Sequence, residues 1–297
     1  MQIIERFYNH AEDYEQVGQF LLRTYRTTGS HINWLQSRWE YMHYHSLVEN
    51  VDLNAIGVWE ANGAIVGVIH PEHQMGTLYV EVDPEYGDLK SEMIRYAEEH
   101  LYWEVSNERV LRVYINDRDD AFQRVVRDEG YEKTDRGAES MSHFMISELF
   151  PVISLPDGFR LLSLAEDNDL VKIHRALWRG FNHEGEPPED GIEGRKRMQS
   201  APNFRKDLTI VVQAPDGHFV SYCGMWYDDL NKVAYVEPVA TDPDYRRMGL
   251  GRAAVLESIR CCGEQGATVA YVGTSMPFYL SFGFETIYTC SIWHKKW

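Results

Sequence analysis

The chain has 297 residues and a formal net charge of −17, from 46 acidic and 29 basic side chains. That balance argues against nucleic acid and against an anionic membrane surface, both of which call for a basic face. With 44% hydrophobic and 25% charged residues, the composition is that of a folded globular protein of one large or two medium domains.

The N-terminal stretch carries acids and lacks an apolar core segment, so no signal peptide is expected. No apolar run approaches the ~20 residues of a membrane span. The four cysteines, Cys223, Cys261, Cys262 and Cys290, form no Cys-x-x-Cys pair. Neither a disulfide framework nor a zinc site is expected, and a reducing cytoplasm suits the pattern.

In chain order, Asp13 to Thr27 places Val17, Phe20, Leu21 and Tyr25 at helical spacing. A second helix is predicted through Trp34 to Met42. Ala55–Glu60 and Ala64–Ile69 flank Asn62-Gly63, a strong hairpin signal. Thr77–Val82 reads as a strand, Leu89–Val105 as a helix, Val110–Ile115 as a strand, and Ala121–Glu129 as a helix ended by Gly130. The turn-rich stretch from Phe150 to Gly158 reads as a linker.

The same order then recurs. Asp167–Phe181 is a predicted helix, followed by a Gly/Pro/Glu-rich loop, Asn182–Gly191. Thr209–Val212 and Phe219–Trp226 form a hairpin, and Val233–Ala240 a strand. Gly249–Gly263 is a helix, Val269–Val272 a strand, and Phe278–Phe282 a short helix. Val82-Asp83-Pro84-Glu85-Tyr86 matches Thr241-Asp242-Pro243-Asp244-Tyr245 at an offset of 159, and Gly130-Tyr131-Glu132 echoes Gly283-Phe284-Glu285. Duplication is the better reading: residues 1–150 and 157–297 are expected as two domains.

Between Tyr235 and Ala254 a strand ends in Asp242-Pro243, two arginines follow, and Gly249 and Gly251 open a helix. Glycines let backbone approach a ligand closely. The free N–H groups and dipole at a helix start favour an anion. Arg246, Arg247 and Arg252 add positive charge to an otherwise acidic chain. The residues alone predict a phosphate-bearing ligand. No Gly-Lys-Ser/Thr follows, so this is no P-loop, and Gly-x-Gly-x-x-Gly is absent.

The loop does match the Arg/Gln-x-x-Gly-x-Gly/Ala pattern of GNAT acetyltransferases, as Arg246-x-x-Gly249-x-Gly251, with Phe278-Tyr279-x-x-x-Gly283-Phe284 downstream. From Phe159 to Trp297 the chain resembles that family. The resemblance implies an α/β (α+β) fold of two tandem GNAT-like domains, each a mixed, mostly antiparallel sheet flanked by helices. It implies acetyl-CoA as co-substrate, with its pyrophosphate on the loop of Arg246, Arg247, Met248, Gly249, Leu250, Gly251 and Arg252. Its pantetheine arm would lie along Val239, Ala240 and Thr241, and Thr274 and Phe278 are further expected cofactor contacts. The implied chemistry is direct attack of a primary amine in a ternary complex. Glu237 is the expected base and Tyr279 the expected acid that protonates the departing thiolate. No metal is expected: the pairs His43/His45 and His70/His73 lack suitable partners.

The first half departs from the pattern, because Gly87-Asp88-Leu89-Lys90-Ser91-Glu92 replaces the arginines and glycines, and Gln123 stands where Tyr279 would. It is therefore expected to be a degenerate domain without a standard CoA site. Trp34, Trp39, Tyr41, His43, Tyr44 and His45 are expected mainly to pack a core. Glu184, Glu186, Glu189 and Asp190 either receive a cationic amine or form a solvated loop. The expected acceptor is a small-molecule amine, cationic if the acidic loop receives it. The alternatives are a peptide or protein N-acetyltransferase and a non-catalytic acyl-CoA-binding regulator.

Overall fold

The computed structural model describes residues 2–29 and 32–297, with backbone alone at 135. Its elements are, in order, β1 (Ile3–Phe7), α1 (His10–Thr28), α2 (Gln36–Tyr44), β2 (Gly57–Ala61), β3 (Ala64–Pro71), β4 (Thr77–Val82), α3 (Lys90–His100), β5 (Trp103–Val105), β6 (Glu108–Asn116), α4 (Asp120–Asp128) and β7 (Glu132–Met145). There follow β8 (Arg160–Ser163), α5 (Leu170–Gly180), α6 (Gly191–Gln199), β9 (Ile210–Gln213), β10 (Phe219–Asp228), β11 (Val233–Thr241), α7 (Leu250–Glu264), β12 (Val269–Val272), α8 (Pro277–Leu280) and β13 (Glu285–Lys296). They form two compact units: Met1–Ser140 with Tyr288–Trp297, and Met141–Ile287. The stretch expected as a linker lies inside the second unit. The C-terminal part of β13 belongs to the first unit, and the last residues of β7 to the second.

In the first unit the strand order is β1-β2-β3-β4-β6-β13, with β5 paired to β6. Among the described residues only β4 and β6 run parallel there, through Thr77 and Leu78. The β2–β3 hairpin turns on Asn62 and Gly63, both at positive φ (53° and 78°), as an Asn-Gly turn requires. Asn9 caps α1 by accepting the amide of Ala11, and the helix turns Val17, Phe20 and Leu21 inward. One core on the α1/α2 face is built around Trp39, Phe20 and Val58; another around Trp59, Met93 and Leu111 lies under α3 and α4. Trp34, Trp39, Tyr41 and His43 are buried in this unit, so the aromatic cluster packs. α2 is buried on nearly every side, from Ser37 to His43.

In the second unit the order is β8-β9-β10-β11-β12-β7, and only β11 and β12 are parallel. α5 and α7 cover opposite faces. Leu162, Ile173, Leu177, Tyr222 and Ala240 make the α5 core; Cys223, Val236, Ala254, Ile259 and Tyr279 belong to the α7 core.

One predicted helix is shorter than expected. Leu89–Val105 is α3 only to His100; Trp103–Val105 turns back as β5, because Ser106 and Asn107 both take positive φ (55° and 66°) and close a hairpin onto β6. Five further elements, β1, β7, β8, α6 and β13, carry no local pattern that the sequence reading used. Among the described residues no helix is long and apolar enough to cross a membrane. Among them, too, no group of three or more His, Cys, Asp or Glu side chains is arranged to hold a metal ion.

Candidate active site

The second unit's site begins with a strand that leaves its neighbour. β11 pairs with β10 along its length, but with β12 only through Val233, Ala234 and Tyr235. From Val236 to Thr241 its other edge faces no strand ladder. Backbone amides and carbonyls on such an edge can pair with an extended ligand. Pro238, which has no N–H, sits in the middle of that edge, after a cis Glu237–Pro238 bond. Opposite it β10 carries Gly224 at a register shift, where a β-carbon would stand 2.3 Å from the Glu237 carbonyl oxygen. Only glycine fits there.

β11 ends at a fixed turn. Asp242 is fully buried, accepts the amide of Asp244 at 3.1 Å, and takes a two-point contact from Arg179 at 2.5 and 2.9 Å. Burial pushes its carboxyl up, but the hydrogen bonds from Arg179 and the Asp244 amide outweigh burial and hold it below the usual range. Arg247 at φ 64° and Gly249 at φ 82° then swing the chain into α7. The first helical bond that closes is Ala253 N–H to Gly249 C=O at 3.0 Å. Among the described residues, the amides of Arg247, Met248, Gly249, Leu250, Gly251 and Arg252 have no acceptor. Six consecutive free donors at a helix start form an anion seat.

The side chains expected at this loop divide. Arg247 and Met248 are exposed, and Leu250 is buried in the core beneath. Arg252 donates to the Val152 carbonyl at 3.2 Å. Arg246 points back: its Nε donates to the Thr241 carbonyl at 3.1 Å and one Nη to the Gly180 carbonyl at 2.8 Å. Val239 packs toward the α7 core, while Ala240 lies under Gly180, where a β-carbon would meet its Cβ at 2.6 Å. Phe278 and Thr241 both abut Gly251. Thr274 accepts the Met276 amide at 3.2 Å, at the entry to α8.

Tyr279 lies on α8 with its ring against Phe278, Phe282 and Phe284. Burial, with the Cys223 thiol and the Glu237 carboxylate nearby, pushes its phenol well above the usual value. It therefore keeps its proton at neutral pH. Glu237 is half-buried on β11, and its carbonyl accepts from Trp226 Nε1 at 3.1 Å. The structure thus brings Glu237, Tyr279 and the parted edge of β11 together. Four contributors belong to no motif: Arg179, Gly180, Cys223 and Arg175, whose Nη1 lies 3.5 Å from the Asp242 carboxylate. The spacing of Arg175 and Arg179, one helical turn apart, puts both on one face of α5, but the spacing alone names no partner.

The first unit repeats the frame and lacks the seat. Asp83 N–H bonds the Val66 carbonyl at 2.8 Å as Asp242 N–H bonds Val220 at 2.9 Å, and Tyr86 N–H reaches Asp83 as Tyr245 N–H reaches Asp242. β4 parts from β6 after Leu78. Beyond this point a tight turn over Pro84–Leu89 runs directly into α3, and Lys90 is tied to Asp119 and lies over the Phe122 ring.

Residues 169–284 match the Acetyltransferase (GNAT) family. A streptothricin acetyltransferase from Streptomyces lavendulae is 27% identical over 124 residues, 42% of this chain and 58% of that protein. The chain thus spans little more than half the length of that curated relative. A GCN5-related N-acetyltransferase from Sphaerobacter thermophilus shares the fold over 99% of this chain and 95% of its own, at 16% identity and a TM-score of 0.66. A tandem GNAT protein from the clavulanic acid biosynthesis pathway does so over 99% and 98%, at 14% identity and a TM-score of 0.65.

Proposed function

We propose that this chain, whose residues 169–284 match the GNAT acetyltransferase family, moves the acetyl group of acetyl-CoA to a primary amine of a small molecule. The row of six free amides from Arg247 to Arg252 carries the reading. It fits a pyrophosphate, and the parted edge of β11 leads from it to Glu237 and Tyr279.

In this reading the amide row holds the pyrophosphate and the β11 edge at Val239–Thr241 holds the extended arm. Glu237 takes a proton from the ammonium form of the acceptor, leaving a neutral amine nitrogen. That nitrogen forms the new C–N bond at the thioester carbonyl carbon, the C–S bond breaks, and the now positively charged nitrogen releases its second proton to water to leave the neutral amide. Tyr279 gives its proton to the departing thiolate, and solvent restores it. The exposed acids Glu184, Glu186, Glu189 and Asp190, on the loop after α5, favour a cationic acceptor. The relative's own name supplies the first acceptor to try, streptothricin. The test is a panel of amines, streptothricin included, with acetyl-CoA and a thiol-release readout. Turnover of a small amine supports the reading. CoA binding without acetyl transfer to any amine would leave a CoA-binding protein instead.

A further inference from the structure

The arginine that opens the glycine motif, Arg246, does not face the amide row with its bound donors. Nε and one Nη are committed to the carbonyls of Thr241 and Gly180. Gly180 is the last residue of α5, so Arg246 ties the end of that helix to the end of β11. Arg179, one residue earlier, makes the second tie, to buried Asp242 and at 2.6 Å to Asp244. The close approach of Gly180 to Ala240 leaves no room between helix and strand.

The other side of α5 holds the loop 181–190. Trp178 Nε1 donates to the Gly185 carbonyl at 3.1 Å, and His183 stacks on the Trp178 ring at 4.3 Å. His174 Nε2 lies 3.0 Å from the Pro188 carbonyl, so that nitrogen must carry the proton and donate. Gly191 sits flat on the His174 ring, where a β-carbon would stand 2.3 Å away. One helix therefore holds both the turn that starts the anion seat and the acidic loop 181–190.

We infer that Arg246 and Arg179 are positioning residues that couple the anion seat to the loop 181–190 through the C-terminal end of α5. The inference rests on the reading of the amide row as the pyrophosphate seat. An anion on amides 247–252 restrains the turn from Asp242 to Arg246. Both arginines pass that restraint to Gly180, and the loop that follows loses freedom.

The experiment is amide hydrogen exchange on the full chain, with and without coenzyme A, alongside calorimetry. In the wild type, CoA slows exchange across 181–190 as well as across 247–252. Arg246→Gln binds CoA within about threefold of wild type, since the donors there are backbone groups, yet loses the protection of 181–190. Arg246 is exposed, so this variant should fold; Arg179→Lys, which keeps the charge near Asp242 and loses the two-point contact, gives a second, partial loss. A fall in CoA affinity of about thirtyfold or more in Arg246→Gln would make that side chain a phosphate ligand and overturn the inference. So would wild-type CoA binding that leaves 181–190 unchanged. Absence of any CoA binding to the wild type would instead remove the reading of the seat itself, and the coupling with it.

Discussion

Gly251 lies so close to Thr241 that a β-carbon on it would stand 2.9 Å from the threonine Oγ1 and 3.3 Å from the Phe278 ring. The glycine that opens α7 is therefore also the contact between the anion seat, the end of β11 and the residue before Tyr279. Gly251→Ala must push one of the three away. The expected outcome is a loss of CoA affinity of about tenfold or more, with about 1–3 kcal/mol of stability lost to overpacking. Calorimetry and denaturant unfolding check the two parts separately. Undiminished CoA affinity would mean that the seat does not depend on this packing.

Tyr279→Phe keeps the ring that packs against Phe278, Phe282 and Phe284 and removes only the hydroxyl. Stability and the KM for acetyl-CoA should hardly change, while kcat falls by about a hundredfold if proton donation to the thiolate limits the step. Because burial holds the phenol's pKa far above neutrality, its loss should add or remove no limb of the pH–rate profile near neutral pH. Steady-state kinetics across pH decide it, and an unchanged kcat would end the acid role.

Glu237→Gln keeps the size of the side chain and cannot accept a proton. The rate near neutral pH should drop, and it should then track the fraction of acceptor amine already neutral in solution, falling about tenfold for each pH unit below the amine's own pKa. A variant profile that superimposes on the wild type's would place the base elsewhere or make it water.

Glu81, at the first unit's counterpart of Ala240, is almost fully buried and accepts the Trp34 amide at 2.7 Å. Burial raises its pKa to about 7, from an ordinary 4.5. Between those two values the folded chain holds a proton that the unfolded chain has released. Stability therefore falls as pH rises through this window and levels off above it. The whole effect is roughly 3 kcal/mol. Glu81→Gln keeps an acceptor for Trp34 and cannot ionise. It should melt above wild type near pH 8, with the gap closing near pH 5. A gap that does not depend on pH would show that Glu81 is ionised in the folded chain throughout.

Much of the frame was legible because its signals are local. Asn62-Gly63 fixes a hairpin by its own backbone preference, and the Asp-Pro turns at Asp83 and Asp242 announce the same joint twice. The anion seat was legible for the same reason: Gly249 and Gly251 stand beside the amides they expose. What was hidden depends on distant pairs. Nothing next to Arg179 in the sequence marks Asp242 as its partner, and Arg246 read as a phosphate ligand until Gly180 appeared beside it. The exchange of segments between the units was equally silent. The Cys290–Lys296 stretch pairs with Val110–Asn116, and Ser142–Met145 with Val269–Val272, across separations that no periodicity encodes.

The central claim is one working CoA seat, on the backbone amides at the start of α7. Amide chemical shifts of the full chain, followed by nuclear magnetic resonance during titration with coenzyme A, test it most directly. Saturable shifts concentrated at Arg247–Arg252 and along Val239–Thr241 are expected, with Asp83–Leu89 unmoved. Shifts centred on Asp83–Leu89, or none at Arg247–Arg252 at saturating CoA, would contradict it.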